Sequence, residues 1–149
     1  MTVAKIRYSY NQITQMCEDL AEIINDMDEA EKPKTIVGLI RGGCIPAVIL
    51  SHLTKIPCKM LSYSSHQGFG GGENDNQIPG DILEGVMQLF VDDICDSGYT
   101  LKEVMEACGE GMGNLSASLI YRDHTKSQFD PDMYATRITD SSWVVFPWE

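Results

Sequence analysis

Short apolar runs alternate with helical periodicities along this chain, which predicts an α/β fold. The expected form is a doubly wound, mainly parallel sheet flanked by helices, with a long flexible loop and a small C-terminal segment. Three observations carry that reading. The run Thr35-Ile36-Val37-Gly38-Leu39-Ile40 is rich in β-formers and too apolar to have a wet face, as in a central strand of a parallel sheet. Helical periodicities precede and follow it. The charged residues Arg41, Asp92, Asp96 and Arg122 each follow an apolar run, and ligands of such sheets sit at the carboxyl ends of the strands.

The elements follow in order. Ile13, Met16, Leu20, Ile23 or Ile24, and Met27 recur at three-to-four spacing and predict an amphipathic helix over Tyr10 to Met27. Asp28 to Lys34 is a charged connector. After the strand Thr35–Ile40, Arg41-Gly42-Gly43 breaks the pattern. Pro46 suits the first turn of a second helix that runs through Val48, Ile49, Leu50 and Leu53 and stops before Pro57. Met60 to Tyr63 reads as a strand. Ser65 to Gly80 holds five glycines and almost nothing to pack, so it reads as a lid or an unstructured loop. Val86 to Asp92 is a buried strand, Thr100 to Cys108 a helix, and Ser116 to Tyr121 a strand. Tyr134 to Ile138 is expected as a last, edge strand.

A length of 149 residues with 43% hydrophobic content fits one domain, residues 1–149, with a real core. The formal net charge of −11 argues against nucleic acid or an anionic membrane as partner. It also means that a strongly anionic substrate would need a metal and local positive dipoles to bind. Five cysteines, without CxxC or Cys/His metal spacing, read as reduced thiols of a cytoplasmic protein. No signal peptide, membrane span or internal repeat is expected.

The run Gln88 to Thr100 carries most of the chemistry. A buried strand ends in Asp92 and Asp93, crosses Asp96-Ser97-Gly98, and opens a helix at Tyr99-Thr100. A helix N-terminus presents free N–H groups and about half a positive charge, and Gly98 lets backbone approach a ligand closely. A phosphate held by backbone and hydroxyls suits that turn. The adjacent acids suit sugar hydroxyls or a divalent metal. Receiver-type signalling domains also place acids at strand ends. They need a phospho-accepting Asp at a different strand end, and Arg41 stands after the Val37–Ile40 run instead.

This run resembles the PRPP-binding motif of the type I phosphoribosyltransferases. In that family an Asp at the first turn position, here Asp96, marks the branch acting on 6-oxopurines. Strand, Arg41-Gly42-Gly43 and helix look like the family's pyrophosphate loop, where a non-proline cis peptide is expected between Ile40 and Arg41. Residues of about 65–80 match the family's flexible loop, although no Lys or Arg occurs from Ser62 to Leu101. The tail Asp140-Ser141-Ser142-Trp143-Val144-Val145-Phe146-Pro147-Trp148-Glu149 is similar to the base-binding segment of the bacterial xanthine-guanine branch. That segment is expected to span about 122–149 here.

The resemblance implies transfer of a phosphoribosyl group from PRPP to guanine, xanthine or hypoxanthine. Asp92 and Asp93 would face the ribose hydroxyls and Mg²⁺. Ser97, Gly98, Tyr99 and Thr100 would clasp the 5′-phosphate, and Arg41, Gly42 and Gly43 the pyrophosphate. Asp96 would be the catalytic group that exchanges a proton with N7 of the base. Trp143 would stack on the purine, Val144 would meet its edge through backbone, and Arg122 would contact the 6-oxo group. Relatives assemble as dimers or tetramers, so a homo-oligomer is expected. The alternative within the same fold is a PRPP- or nucleotide-binding regulator without catalysis.

Overall fold

The computed structural model describes residues 3–64, 68–69, 86–108 and 113–149. The first strand, β1 (Lys5–Arg7), lies outside the expected elements. Helix α1 (Tyr10–Asn25) opens on a capping box. Ser9 Oγ accepts the N–H of Gln12 at 3.2 Å, and Gln12 Oε1 accepts that of Ser9 at 2.8 Å. The predicted stripe is the buried one: Ile13, Met16, Leu20 and Ile24 face the core together with Cys17 and Ala21. The helix stops two residues short of Met27, where Met27 N–H turns back to Ile24 O at 3.1 Å.

Strand β2 (Thr35–Ile40) leads to helix α2 (Cys44–Thr54), then β3 (Cys58–Ser64) and β4 (Gly68–Phe69). Strand β5 (Gln88–Cys95), helix α3 (Tyr99–Cys108), β6 (Leu115–Arg122), β7 (Met133–Ile138) and β8 (Trp143–Val145) complete the order. The main sheet runs β4-β3-β2-β5-β6-β7, parallel throughout except for β4. Alternate residues face opposite layers. Ile36, Leu89 and Val91 pack under α1 and α2, while Val37, Leu39 and Phe90 pack under Leu101 and Val104 of α3. The sheet is thus covered on both faces, as its apolar strands require.

Three expectations change. The motif strand does not end at the acids; it continues through Asp93 to Cys95, because β6 keeps pairing it as far as Cys95↔Tyr121. The Gly-rich segment falls almost wholly outside the described residues, yet Gly68 and Phe69 pair antiparallel with Ser64 and Tyr63. The tail is not merely appended: β8 pairs in parallel with β1, Lys5↔Trp143 through Arg7↔Val145, in a separate two-stranded sheet.

Candidate active site

The chain winds outward from β2 to β3, then returns to place β5 on the other side of β2. That reversal opens a crevice at the carboxyl ends of β2 and β5. β5 pairs with β2 only as far as Gly38↔Val91, while its pairing with β6 continues. Asp92 and Asp93 therefore stand where β5 loses one neighbour, and both are half-buried. Asp92 Oδ1 accepts the Asp93 N–H at 2.9 Å, and Asp93 Oδ1 accepts the Ile94 N–H at 2.7 Å. Burial and then the Asp93 charge push the Asp92 carboxyl well above its ordinary range. Burial also raises Asp93, against the lowering effect of its hydrogen bond with Asp92.

Beyond the acids, Asp92 to Leu101 wrap a cavity of about 250 Å³ at the N-terminus of α3. Ser97 Oγ accepts the Tyr99 N–H at 3.3 Å and caps the turn. Gly98 has φ +81°, and a Cβ there would stand 2.7 Å from Phe129 N. Its close approach is thus to the Phe129 backbone, which fixes the turn from behind.

The Ile40–Arg41 peptide is cis, as expected. Arg41 is exposed and, among the described residues, has no ionic partner. Gly42 and Gly43 serve close packing. A Cβ on Gly42 would meet Asp93 Oδ2 at 2.1 Å, and one on Gly43 would meet Val91 O at 2.1 Å. The Gly43 N–H donates to Leu39 O at 2.8 Å, so it is engaged within the turn rather than offered to an anion. Arg41, Gly42, Ile45, Asp93, Trp148 and Glu149 line a second cavity of about 460 Å³ that shares Asp93 with the first.

A third cavity, about 430 Å³, lies between the end of β6 and the tail. Its lining includes Asp96, Arg122, His124, Lys126, Asp140 and Trp143, and Asp96 also lines the cavity at α3. Trp143 is 60% exposed there, while the Val144 side chain is buried in the core. Arg122 is buried and committed to protein partners. Its Nε donates to Asp96 Oδ1 at 3.0 Å, Nη2 to Ser142 O at 2.7 Å, and Nη1 to Asp140 O. The guanidinium fork ties the base of the tail to Asp96, so the arginine acts as a strut where a ligand contact was expected. Hydrogen bonds from Ser142 hold the Asp140 carboxyl below its usual value.

The structure thus gathers Asp92, Asp93, Asp96, the 97–100 turn, Arg41, Arg122 and Trp143 around three adjoining cavities. Sequence reasoning missed His124, Trp148 and Glu149. His124 had a positional signal, lying two residues past the end of a central strand, but no motif. Among the described residues no group of three or more His, Cys, Asp or Glu could hold a metal. No helix among them is long and apolar enough to cross a membrane.

The phosphoribosyl transferase domain family matches residues 9–149. A xanthine-guanine phosphoribosyltransferase of Gluconobacter oxydans is 30% identical over 120 residues, covering 76% of this chain and 67% of that protein. A purine phosphoribosyltransferase structure from Pyrococcus horikoshii Ot3 superposes with a TM-score of 0.75 at 32% identity, covering 97% and 94% of the two chains. The xanthine-guanine-hypoxanthine enzyme of Helicobacter pylori, at 23% identity, shares the fold with a TM-score of 0.74 over 97% and 93%.

Proposed function

This chain belongs to the phosphoribosyl transferase family, and from that premise we propose that it transfers the 5-phosphoribosyl group of PRPP to a 6-oxopurine. The products are the nucleoside 5′-monophosphate and pyrophosphate. The observation that carries this reading is Asp96, which stands on the shared wall between the cavity at the α3 N-terminus and the cavity beneath Trp143. A sugar phosphate in the first and a base in the second would meet at that residue. Residues 1–149 would act as one transferase domain.

The turn 97–100 holds the 5′-phosphate through helix N–H groups and hydroxyls. Asp92 and Asp93 orient the ribose hydroxyls and favour positive charge growing at C1 as pyrophosphate departs. Arg41 supplies a fixed cation to the leaving group from the neighbouring cavity. Trp143 covers the base, and Asp96 exchanges the N7 proton, an assistance worth roughly 100- to 10,000-fold.

The donor set fits a magnesium ion. Asp92 and Asp93 each commit Oδ1 to a backbone N–H, and both carboxyls are raised by burial, so a cation would relieve the buried charge. Mg²⁺ is held by one or two carboxylates plus substrate oxygens in many phosphate-transferring sites, which agrees with two protein donors here. When bound, the ion would neutralise the departing pyrophosphate.

The five free thiols support a cytoplasmic setting. Exposed Ile23, Val48 and Leu53 on α1 and α2 support a homodimer or homotetramer.

The test is direct. The protein is incubated with PRPP, Mg²⁺ and guanine, xanthine, hypoxanthine or adenine in turn, and nucleotide is followed by chromatography. Product with at least one 6-oxopurine and little with adenine is expected. No product with any base rejects the reading.

A further inference from the structure

Two nitrogen atoms make three contacts with Asp96 in a way that the general reaction does not require. Arg122 Nε lies 3.0 Å from Asp96 Oδ1. His124 Nε2 lies 3.3 Å from the same Oδ1 and 3.2 Å from the Asp96 main-chain O. Among the described residues, Asp96 Oδ2 has no partner.

The tautomer of His124 follows from its other nitrogen. The backbone N–H of Lys126 donates to His124 Nδ1 at 3.1 Å, so Nδ1 is an acceptor. The proton of the neutral ring must then sit on Nε2, facing Asp96. The loop that carries the ring is itself tied down. Ser127 N–H bonds to His124 O at 3.1 Å, Ser127 Oγ donates to Arg122 O at 3.1 Å, and Gln128 N–H reaches Ser97 O at 2.7 Å. The side chain is only 26% exposed.

We propose that His124 is a positioning residue for the phosphoribosyl transfer. Held as its Nε2–H tautomer, it anchors Asp96 through the main-chain O with its ring edge against Oδ1, and leaves Oδ2 as the atom that exchanges the proton with the base. This rests on the transferase reading above and deepens it. The Arg122 Nε–H holds Oδ1, the His124 ring packed 3.3 Å from the same oxygen limits rotation of the carboxylate, and the hydrogen bond of that ring to the main-chain O stops the residue from shifting as a whole. A half-exposed carboxylate without those contacts would sample many orientations, few of them productive. Arg122 alone cannot supply this, because its other two nitrogens are spent on the carbonyls of Asp140 and Ser142.

Two variants and one spectrum test the idea. Gln at position 124 can place an amide N–H near the Nε2 position; Leu keeps bulk without a donor. With the best base, His124→Leu is expected to lower kcat about 10- to 100-fold, and His124→Gln to stay within about threefold of wild type. KM for PRPP should change by less than about twofold in both, because the 97–100 turn is untouched. In ¹⁵N spectra of the unliganded protein, the His124 ring should show Nδ1 as the bare nitrogen and Nε2 as the protonated one. A His124→Leu enzyme with wild-type kcat overturns the proposal, as do equal losses in His124→Leu and His124→Gln. A ring protonated on Nδ1 alone overturns it as well. Wild-type protein that makes no nucleotide with any base would instead remove the transferase reading on which this one stands.

Discussion

Gly42 and Asp93 touch across the crevice. A methyl group on Gly42 would begin 2.1 Å from Asp93 Oδ2 and 2.4 Å from its Cγ. The turn after β2 is thereby molded onto a carboxylate of β5, and the cavity that Arg41, Gly42 and Asp93 line has a fixed width there. Asp93 cannot simply swing aside, since Oδ1 is held by the Ile94 N–H at 2.7 Å.

Gly42→Ala should therefore displace Asp93 or open the loop. Overpacking of this kind costs typically about 1–3 kcal/mol. Urea unfolding should report that loss. A PRPP titration should show weaker binding than the stability change alone would produce.

The acidic pair makes stability depend on pH. Burial lifts both carboxyls above the ordinary value of 3.8, with the Asp93 charge adding to it at Asp92 and the Glu149 charge at Asp93. Above 3.8 the folded state then binds more protons than the unfolded one, and the pair's contribution to stability falls as pH rises through the raised values. Asp92→Asn should flatten that fall. Without Mg²⁺, at about pH 7.5, the variant should unfold at an equal or higher urea concentration than wild type, while binding PRPP poorly. A variant less stable than wild type at that pH would contradict the assignment of a buried, uncompensated charge.

Asp96→Asn keeps the shape of the side chain and removes its basicity. Turnover should fall by roughly 100-fold or more, with PRPP binding almost unchanged. Steady-state kinetics at saturating base separates the two. Equal losses in kcat and PRPP affinity would argue against the proton-transfer role.

Trp143 is 60% exposed and so contributes little to the core. Trp143→Ala should leave the unfolding midpoint near that of wild type. The KM for the purine should rise by an amount corresponding to about 1–3 kcal/mol, the value of stacking an aromatic ring on a base. A variant that melts early without losing base affinity would assign the ring to packing instead.

Much of this arrangement was readable from residue order. The apolar run at 35–40 reads as a central strand and is one, while the acids lie near the carboxyl end of β5, which runs on past them to Cys95. The Asp92, Asp93 and Asp96 positions, the turn at 97–100 and the cis bond before Arg41 follow from local pattern and family resemblance. Other features were not readable, each for a physical reason. β1 has three residues, Lys5, Ile6 and Arg7, with no periodicity to betray it; only its partner on β8 makes it a strand. Arg122 was expected at the base through the family resemblance. Its carbonyl partners on Asp140 and Ser142 are backbone groups, which no residue pattern announces. Gly43 looked like an anion donor, but its N–H and its bare Cα face Leu39 and Val91. His124 is invisible without the loop that folds it back onto Asp96.

The pairing of β1 with β8 ties the two extremes of the chain to one task. Trp143 N–H hangs from Ala4 O at 2.7 Å, and Tyr8 N–H bonds Val145 O at 3.0 Å, so the strand that carries Trp143 is suspended from the amino-terminal strand. On the proposed reading, substrate discrimination is consequently open to adjustment from residues 4–8: a proline at position 8, which removes the N–H bonded to Val145 O, would retune the choice of base by letting that strand sag.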